Sequence, residues 1–148
     1  MYNFQKAFTL KQMKMTSVVN YLGNLRTESV HISSNDKIVT DAPTDNNGKG
    51  EAFSPTDLVA SSLSSCILTV VGIVSKQIKY DLTNTTSSVK KIMGNNPRRI
   101  IEIVVKIEFS KSADSKTKTI IEKTALNCPV AKSLHPDIKQ NISFIWPN

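Results

Sequence analysis

The sequence predicts an α+β fold with the element order βββ–α–ββ–α–β. Three observations lead to it. Short apolar–polar alternations fill the first third of the chain. One long stretch, Ser54 to about Gln77, carries apolar residues at helical spacing. A second long alternation, Ile101 to Phe109, has the two-residue period of a half-buried strand.

The elements follow in order. Residues 1–15 form an N-terminal extension with weak apolar spacing (Phe4, Phe8, Leu10, Met13), and 16–148 form one domain. Val18, Val19, Tyr21 and Leu22 predict a first strand, and Val30 with Ile32 a second. Asn35-Asp36 is a turn signal leading to a third strand at Ile38. DAPTDNNGKG, Asp41 to Gly50, reads as a loop by composition. Ser54 is a good N-cap residue, Pro55 suits the first helical position, and Asp57 stands where a capping box has Glu or Gln.

Val59, Leu63, Cys66, Ile67, Val70 and Val74 make the apolar stripe of this helix. Much of the remainder is Ser, Ala and Gly72, so burial on most sides and close packing against another backbone are expected. Val89 to Met93 pairs with Ile101–Phe109 across Gly94-Asn95-Asn96-Pro97. In that long strand Ile101, Ile103, Val105, Ile107 and Phe109 share the inward face. Lys116 to Asn127 predicts a second helix, and Cys128-Pro129 interrupts it. Pro129 opens a short helix to about Leu134, and Ile142, Phe144 and Trp146 alternate as a last strand. Antiparallel sheets around a long central helix result.

The 148 residues suffice for one core, and 39% hydrophobic with 21% charged residues is ordinary globular composition. No run of about 18 apolar residues is apparent, so no membrane partner is expected. The N-terminus lacks a signal-peptide pattern, and two cysteines do not make a disulfide scaffold, so a cytoplasmic location is the expectation. The net charge of +7 admits nucleic-acid binding, but the lysines are dispersed and no aromatic cluster accompanies them. A solvated basic surface is the better reading.

Few residues offer chemistry. Cys66 and Cys128 form no CxxC motif, and each taken alone reads first as a small packing residue. A catalytic thiol needs a cation or a helix N-terminus to stabilise its thiolate. Cys66 lies about three turns into its helix, too deep for the dipole. Cys128 is the expected N-cap of the Pro129 helix, and dipole reasoning makes it the more acidic thiol. The only arginines are Arg26, Arg98 and Arg99. Arg26 reads as surface charge or as a thiolate partner. Glu51, just before the long helix, reads as a dipole-favouring carboxylate or as one that orients an arginine. Cys66, Cys128, His31 and His135 include no close ligand pair, so no metal is expected. No GxSxG elbow supports a serine hydrolase.

GKGEAFSPTDLVASSLSSC, followed downstream by NCPVAKSLHPDIKQNISFIW, resembles the OsmC-like proteins, the osmotically inducible and organic hydroperoxide resistance group. The likeness spans roughly Val18 to Trp146. DAPTDNNGKGEAFSPTDL and CPVAKSLHPD are most similar to the broad, less characterised branch. Arg26 lies in YLGNLRTES, a departure from the GGRDG-like setting of the hydroperoxide resistance proteins.

The resemblance implies the OsmC-like fold and an intertwined homodimer with packed central helices. It implies a thiol peroxidase for organic hydroperoxides, with Cys66 peroxidatic and Cys128 resolving. Arg26 would hold the thiolate, and Glu51 would hold Arg26. An external dithiol, lipoyl-linked or thioredoxin-like, would be the reductant, with no cofactor or metal. The apolar neighbours Leu63, Ile67 and Val70 would favour organic peroxides. Two alternatives stay open: a non-catalytic relative binding a small apolar ligand at the dimer interface, and a basic nucleic-acid binder.

Overall fold

In the computed structural model, which describes residues 15–148, three short strands precede the long helix. The extension predicted for residues 1–15 lies outside the described residues except for Met15. The elements are β1 (Ser17–Gly23), β2 (Arg26–His31), β3 (Lys37–Asp41), a 3-10 turn at Thr44–Asn46, and α1 (Pro55–Gln77). Then come β4 (Thr86–Asn95), β5 (Arg98–Glu108), α2 (Ser115–Ala125), α3 (Pro129–Ser133) and β6 (Lys139–Ile145). The predicted α+β order is present. Contacts group the chain into two units, one ending at Ser54 and one spanning Pro55–Asn148.

The first unit is an antiparallel meander in the order β1-β2-β3. Its first turn is sharp. Gly23, Asn24 and Leu25 have φ of 85°, 51° and 63°, so the two residues between Gly23 and Arg26 are both left-handed. That is the twist a two-residue hairpin loop needs, and Leu25 adopts it against its own steric preference. The Tyr21 hydroxyl accepts from Leu25 N at 3.2 Å and helps hold the turn. Tyr21 pairs with Thr27 and Gly23 with Arg26, so the turn sets the position of Arg26 at the head of β2.

The second unit contains all the buried hydrophobic residues among those described. Its sheet has the order β4-β5-β6. β4 and β5 are antiparallel, but β5 and β6 are parallel, so the sheet is mixed and not wholly antiparallel as the sequence reading had it. A parallel neighbour requires a crossover, and α2 with α3 supply it. The core joins Leu63, Ile67 and Val71 of α1, Ile103, Val105 and Ile107 of β5, Ile121 of α2, and Cys128.

Two details differ from the expected patterns. In β5 the register shifts between Ile92 and Met93 of the partner strand: Ile92 opposes Glu102, while Met93 opposes Ile100. Ile101 is the extra residue of a bulge, so the alternation changes phase there. Ile100 is 7% exposed and Ile101 40%, and Ile101 therefore leaves the inward face it was assigned.

In α1 the buried face is Ala60, Leu63, Ser64, Ile67, Val71 and Ser75. Val59 is 38% exposed, so the predicted stripe is rotated toward the small residues. These let the helix approach the sheet, and Ser64 Oγ donates to Ser87 Oγ of β4 at 2.7 Å. Among the described residues α1 buries one face, and Ile73 is 55% exposed. An 18-residue window of α1 has a mean hydropathy of 2.0. By length and composition alone it could cross a membrane, contrary to the expectation that no stretch could. Serine and threonine interrupt the apolar run without adding charge.

Candidate active site

The site residues named from sequence fall into two clusters, one in each unit. The first is built on the β2–β3 pair, where Arg26 lies directly opposite Asp41. Arg26 Nη2 donates to Glu51 Oε2 at 2.7 Å and to Asp41 Oδ2 at 3.1 Å. The two ion pairs differ in setting: the Asp41 side chain is 1% exposed and that of Glu51 57%. Asp41 Oδ2 also accepts from the backbone amide of Glu51 at 3.0 Å. That amide, then the Arg26 guanidinium, hold the Asp41 carboxyl below its usual range against the opposing effect of burial. Asp41, then Glu51, raise the Arg26 value further, so the guanidinium stays a cation.

The loop between β3 and Glu51 makes this possible. Gly50 N donates to Ala42 O at 3.2 Å, and Gly50 has φ +66°. A Cβ at Gly48 would lie 1.7 Å from Ala42 O, so only glycine fits there. The folded-back loop returns Glu51 beside Asp41. A pocket of about 110 Å³ opens here, lined by Leu22, Gly23, Asn24, Arg26, Asp41 and Lys49.

The second cluster is the cysteine pair. Cys66 lies on α1 and is half-buried, Cys128 is the fully buried N-cap of α3, and both are free thiols. The Cys128 Sγ accepts from Ala131 N at 3.4 Å, as the N-cap reading expected. The acidity inferred from that position is corrected. Burial pushes the Cys128 thiol above its ordinary value of 9.0, and the Ala131 amide only partly opposes it. A five-residue helix presents few amides, and enclosure in the core outweighs them. Cys66, packed against the core that contains Cys128, pushes that thiol in the same direction as burial. Residues distant in sequence thus meet at one core.

The apolar surroundings also need correction. Leu63 and Ile67 are fully buried core residues and cannot wall an accessible pocket. The apolar residues on the face of Cys66 that are not fully buried are Val59, Val70 and Ile73, at spacings of seven, four and seven.

The remaining candidates lie elsewhere. Arg99 pairs with Asp137 at 3.1 Å on the surface, and His135 Nδ1 accepts from Asp137 N at 3.2 Å. His31 Nδ1 bonds Ser34 Oγ at 2.8 Å. Among the described residues no three His, Cys, Asp or Glu side chains are grouped to hold a metal. Asp41 is the site residue that sequence reasoning missed. It opens a segment with loop composition, and its strand partner is visible only in the fold.

The family model for OsmC-like proteins matches residues 48–143. A crystal structure of a candidate osmotic stress-induced and detoxification-response protein from Psychrobacter arcticus is 52% identical. It aligns over 90% of this chain and 97% of its own, with a TM-score of 0.87. An organic hydroperoxide resistance protein from Legionella pneumophila has the same fold at 14% identity and TM-score 0.70, over 89% of this chain and 98% of its own. One from Elizabethkingia anophelis, crystallised with thiocyanate, gives 17% and 0.70, over 92% and 99%. A comparison with curated protein sequences returned no significant match.

Proposed function

The chain belongs to the OsmC-like family, and from that premise we propose that it is a thiol-dependent peroxidase that reduces organic hydroperoxides with two cysteines. The observation that carries this reading is that Cys66 packs against the core that holds Cys128 and acts on the Cys128 thiol. Cys66 is the more exposed of the two and is the first nucleophile. Its thiolate attacks the outer peroxide oxygen, the O–O bond breaks, and the alkoxide takes a proton and leaves as an alcohol. Cys66 is now a sulfenic acid. The Cys128 sulfur attacks the Cys66 sulfur, water leaves, and a disulfide remains. An external dithiol then reduces it by thiol–disulfide exchange and is itself oxidised.

Arg26 takes the part that the family resemblance implies for it, holding a thiolate and the charge developing on the peroxide in the manner of an oxyanion clamp. Glu51 is bonded to its guanidinium. The raised Cys128 value suits a resolving thiol that stays protonated until its partner is oxidised. Val59, Val70 and Ile73 on the Cys66 face favour an organic over an inorganic peroxide. No cofactor enters the scheme.

The working unit of this reading is a homodimer. Val18, Val19, Tyr21 and Leu22 are 52%, 59%, 67% and 53% exposed. They alternate along β1, so both faces of a three-stranded sheet carry open apolar surface. A second chain would cover it.

The test uses two variants. Cys66→Ser should abolish peroxide consumption, and Cys128→Ser should leave a sulfenic acid at Cys66 that dimedone captures. Capture at Cys128 in the unsubstituted protein would reverse the assignment.

A further inference from the structure

We propose that Asp41 is the positioning residue of the candidate site, fixing Arg26 from inside the fold, while Glu51 closes the pair from the solvent side. What Arg26 does rests on the peroxidase reading above. How Arg26 is held does not.

The resemblance made Glu51 the holder of Arg26, but the environments of the two carboxylates rank them the other way. An ion pair at a side chain 57% exposed, as for Glu51, is screened by water and contributes little by itself. Asp41 is 1% exposed, so its charge faces Arg26 with little solvent between. Its Oδ2 takes two donors, Arg26 Nη2 and Glu51 N, and so ties the guanidinium and the Glu51 backbone to one atom. Glu51 itself is therefore placed by Asp41. The other oxygen, Oδ1, is buried with no hydrogen-bond partner among the described residues. A half-served buried carboxylate costs stability and calls for a reason. Holding an arginine whose remaining three N–H groups can point at a substrate supplies one.

This arrangement makes a specific pattern. Loss of Asp41 should release both Arg26 and Glu51, so removing Glu51 afterwards should add nothing. Thr40→Val is the stability control. Thr40 is 5% exposed beside Asp41, and its hydroxyl bonds only Thr27 Oγ1 at 2.5 Å among the described residues.

The experiment measures the rate of thiol loss with cumene hydroperoxide, and in parallel the NMR signal of the Arg26 Nε–H group. Only three arginines are present, so Arg26→Lys assigns that signal by its loss. Asp41→Asn should slow the reaction about tenfold or more, and Glu51→Gln by about threefold or less. The double variant should match Asp41→Asn, and Thr40→Val should react like the unsubstituted protein. The Arg26 signal should stay in place in Glu51→Gln and collapse toward free arginine in Asp41→Asn. A larger effect of Glu51→Gln on either readout, or an additive double variant, overturns the proposal. If the unsubstituted protein ignores the peroxide, the peroxidase reading fails and the NMR order still decides the role of Asp41. If Asp41→Asn does not fold, Glu51→Gln decides alone: a collapsed Arg26 signal there overturns the proposal.

Discussion

A single residue can sit at a helix N-terminus and still be a poor acid, as Cys128 does. Its position and its one amide donor follow directly from Cys-Pro-Val. Its complete burial does not, because that depends on the core it shares with α1 and β5. The consequence can be measured. The folded-state value is raised above 9.0, so the neutral thiol is the form the fold favours. Stability from this group is fully present below about pH 9 and is lost as pH rises through the folded value. Urea midpoints of the unsubstituted protein and of Cys128→Ala should therefore converge between neutral and strongly alkaline pH. A constant difference would show that Cys128 does not titrate against folding. At this scale Arg26, Glu51, Cys66 and Cys128 were legible only through a family resemblance, since no local spacing joins them. Asp41 was not legible at all. Its role depends on the β2–β3 register and on a loop that Gly48 and Gly50 fold back.

Elements were easier to read where one local signal decides. Pro55 opens α1 and Pro129 opens α3, as their sequences predict. The sequence pattern starts α2 at Lys116, whereas Asp114 caps it by accepting from Thr117 N at 2.8 Å. The faces were harder. Alternation alone places Ile101 inward, and one bulge moves it out. The bulge gives a sharp contrast between neighbours on the same strand. Ile103→Ala should cost about 2–5 kcal/mol, since the residue is fully buried and leaves a cavity. Ile101→Ala should cost less than about 1 kcal/mol in the isolated chain. Urea unfolding of both variants measures the difference, and equal losses would contradict the observed register. The parallel β5–β6 pair was similarly hidden. Strand direction is a property of the α2–α3 crossover, and no periodicity encodes it.

Among the described residues, buried and exposed apolar side chains divide unevenly along the chain. All its buried hydrophobic residues, among those described, lie after Ser54, while β1 exposes valine, tyrosine and leucine on both faces. The proposed dimer resolves that imbalance. Sedimentation equilibrium should give the mass of two chains, and Val19→Lys with Tyr21→Lys should dissociate or unfold the assembly. A folded, stable monomer would remove the dimer from the account. The fold class was legible because strand alternation and one long helix survive any tertiary arrangement. The chemistry was not, because it joins residues that only the fold makes neighbours. Its central claim is that Cys66 and Cys128 act as one redox pair. The most direct measurement is peptide mass mapping of the reduced protein after one equivalent of cumene hydroperoxide, with alkylation of the remaining thiols. The account predicts a Cys66–Cys128 disulfide within each chain and one alcohol released per disulfide. Two thiols still open to alkylation after minutes of exposure would contradict it.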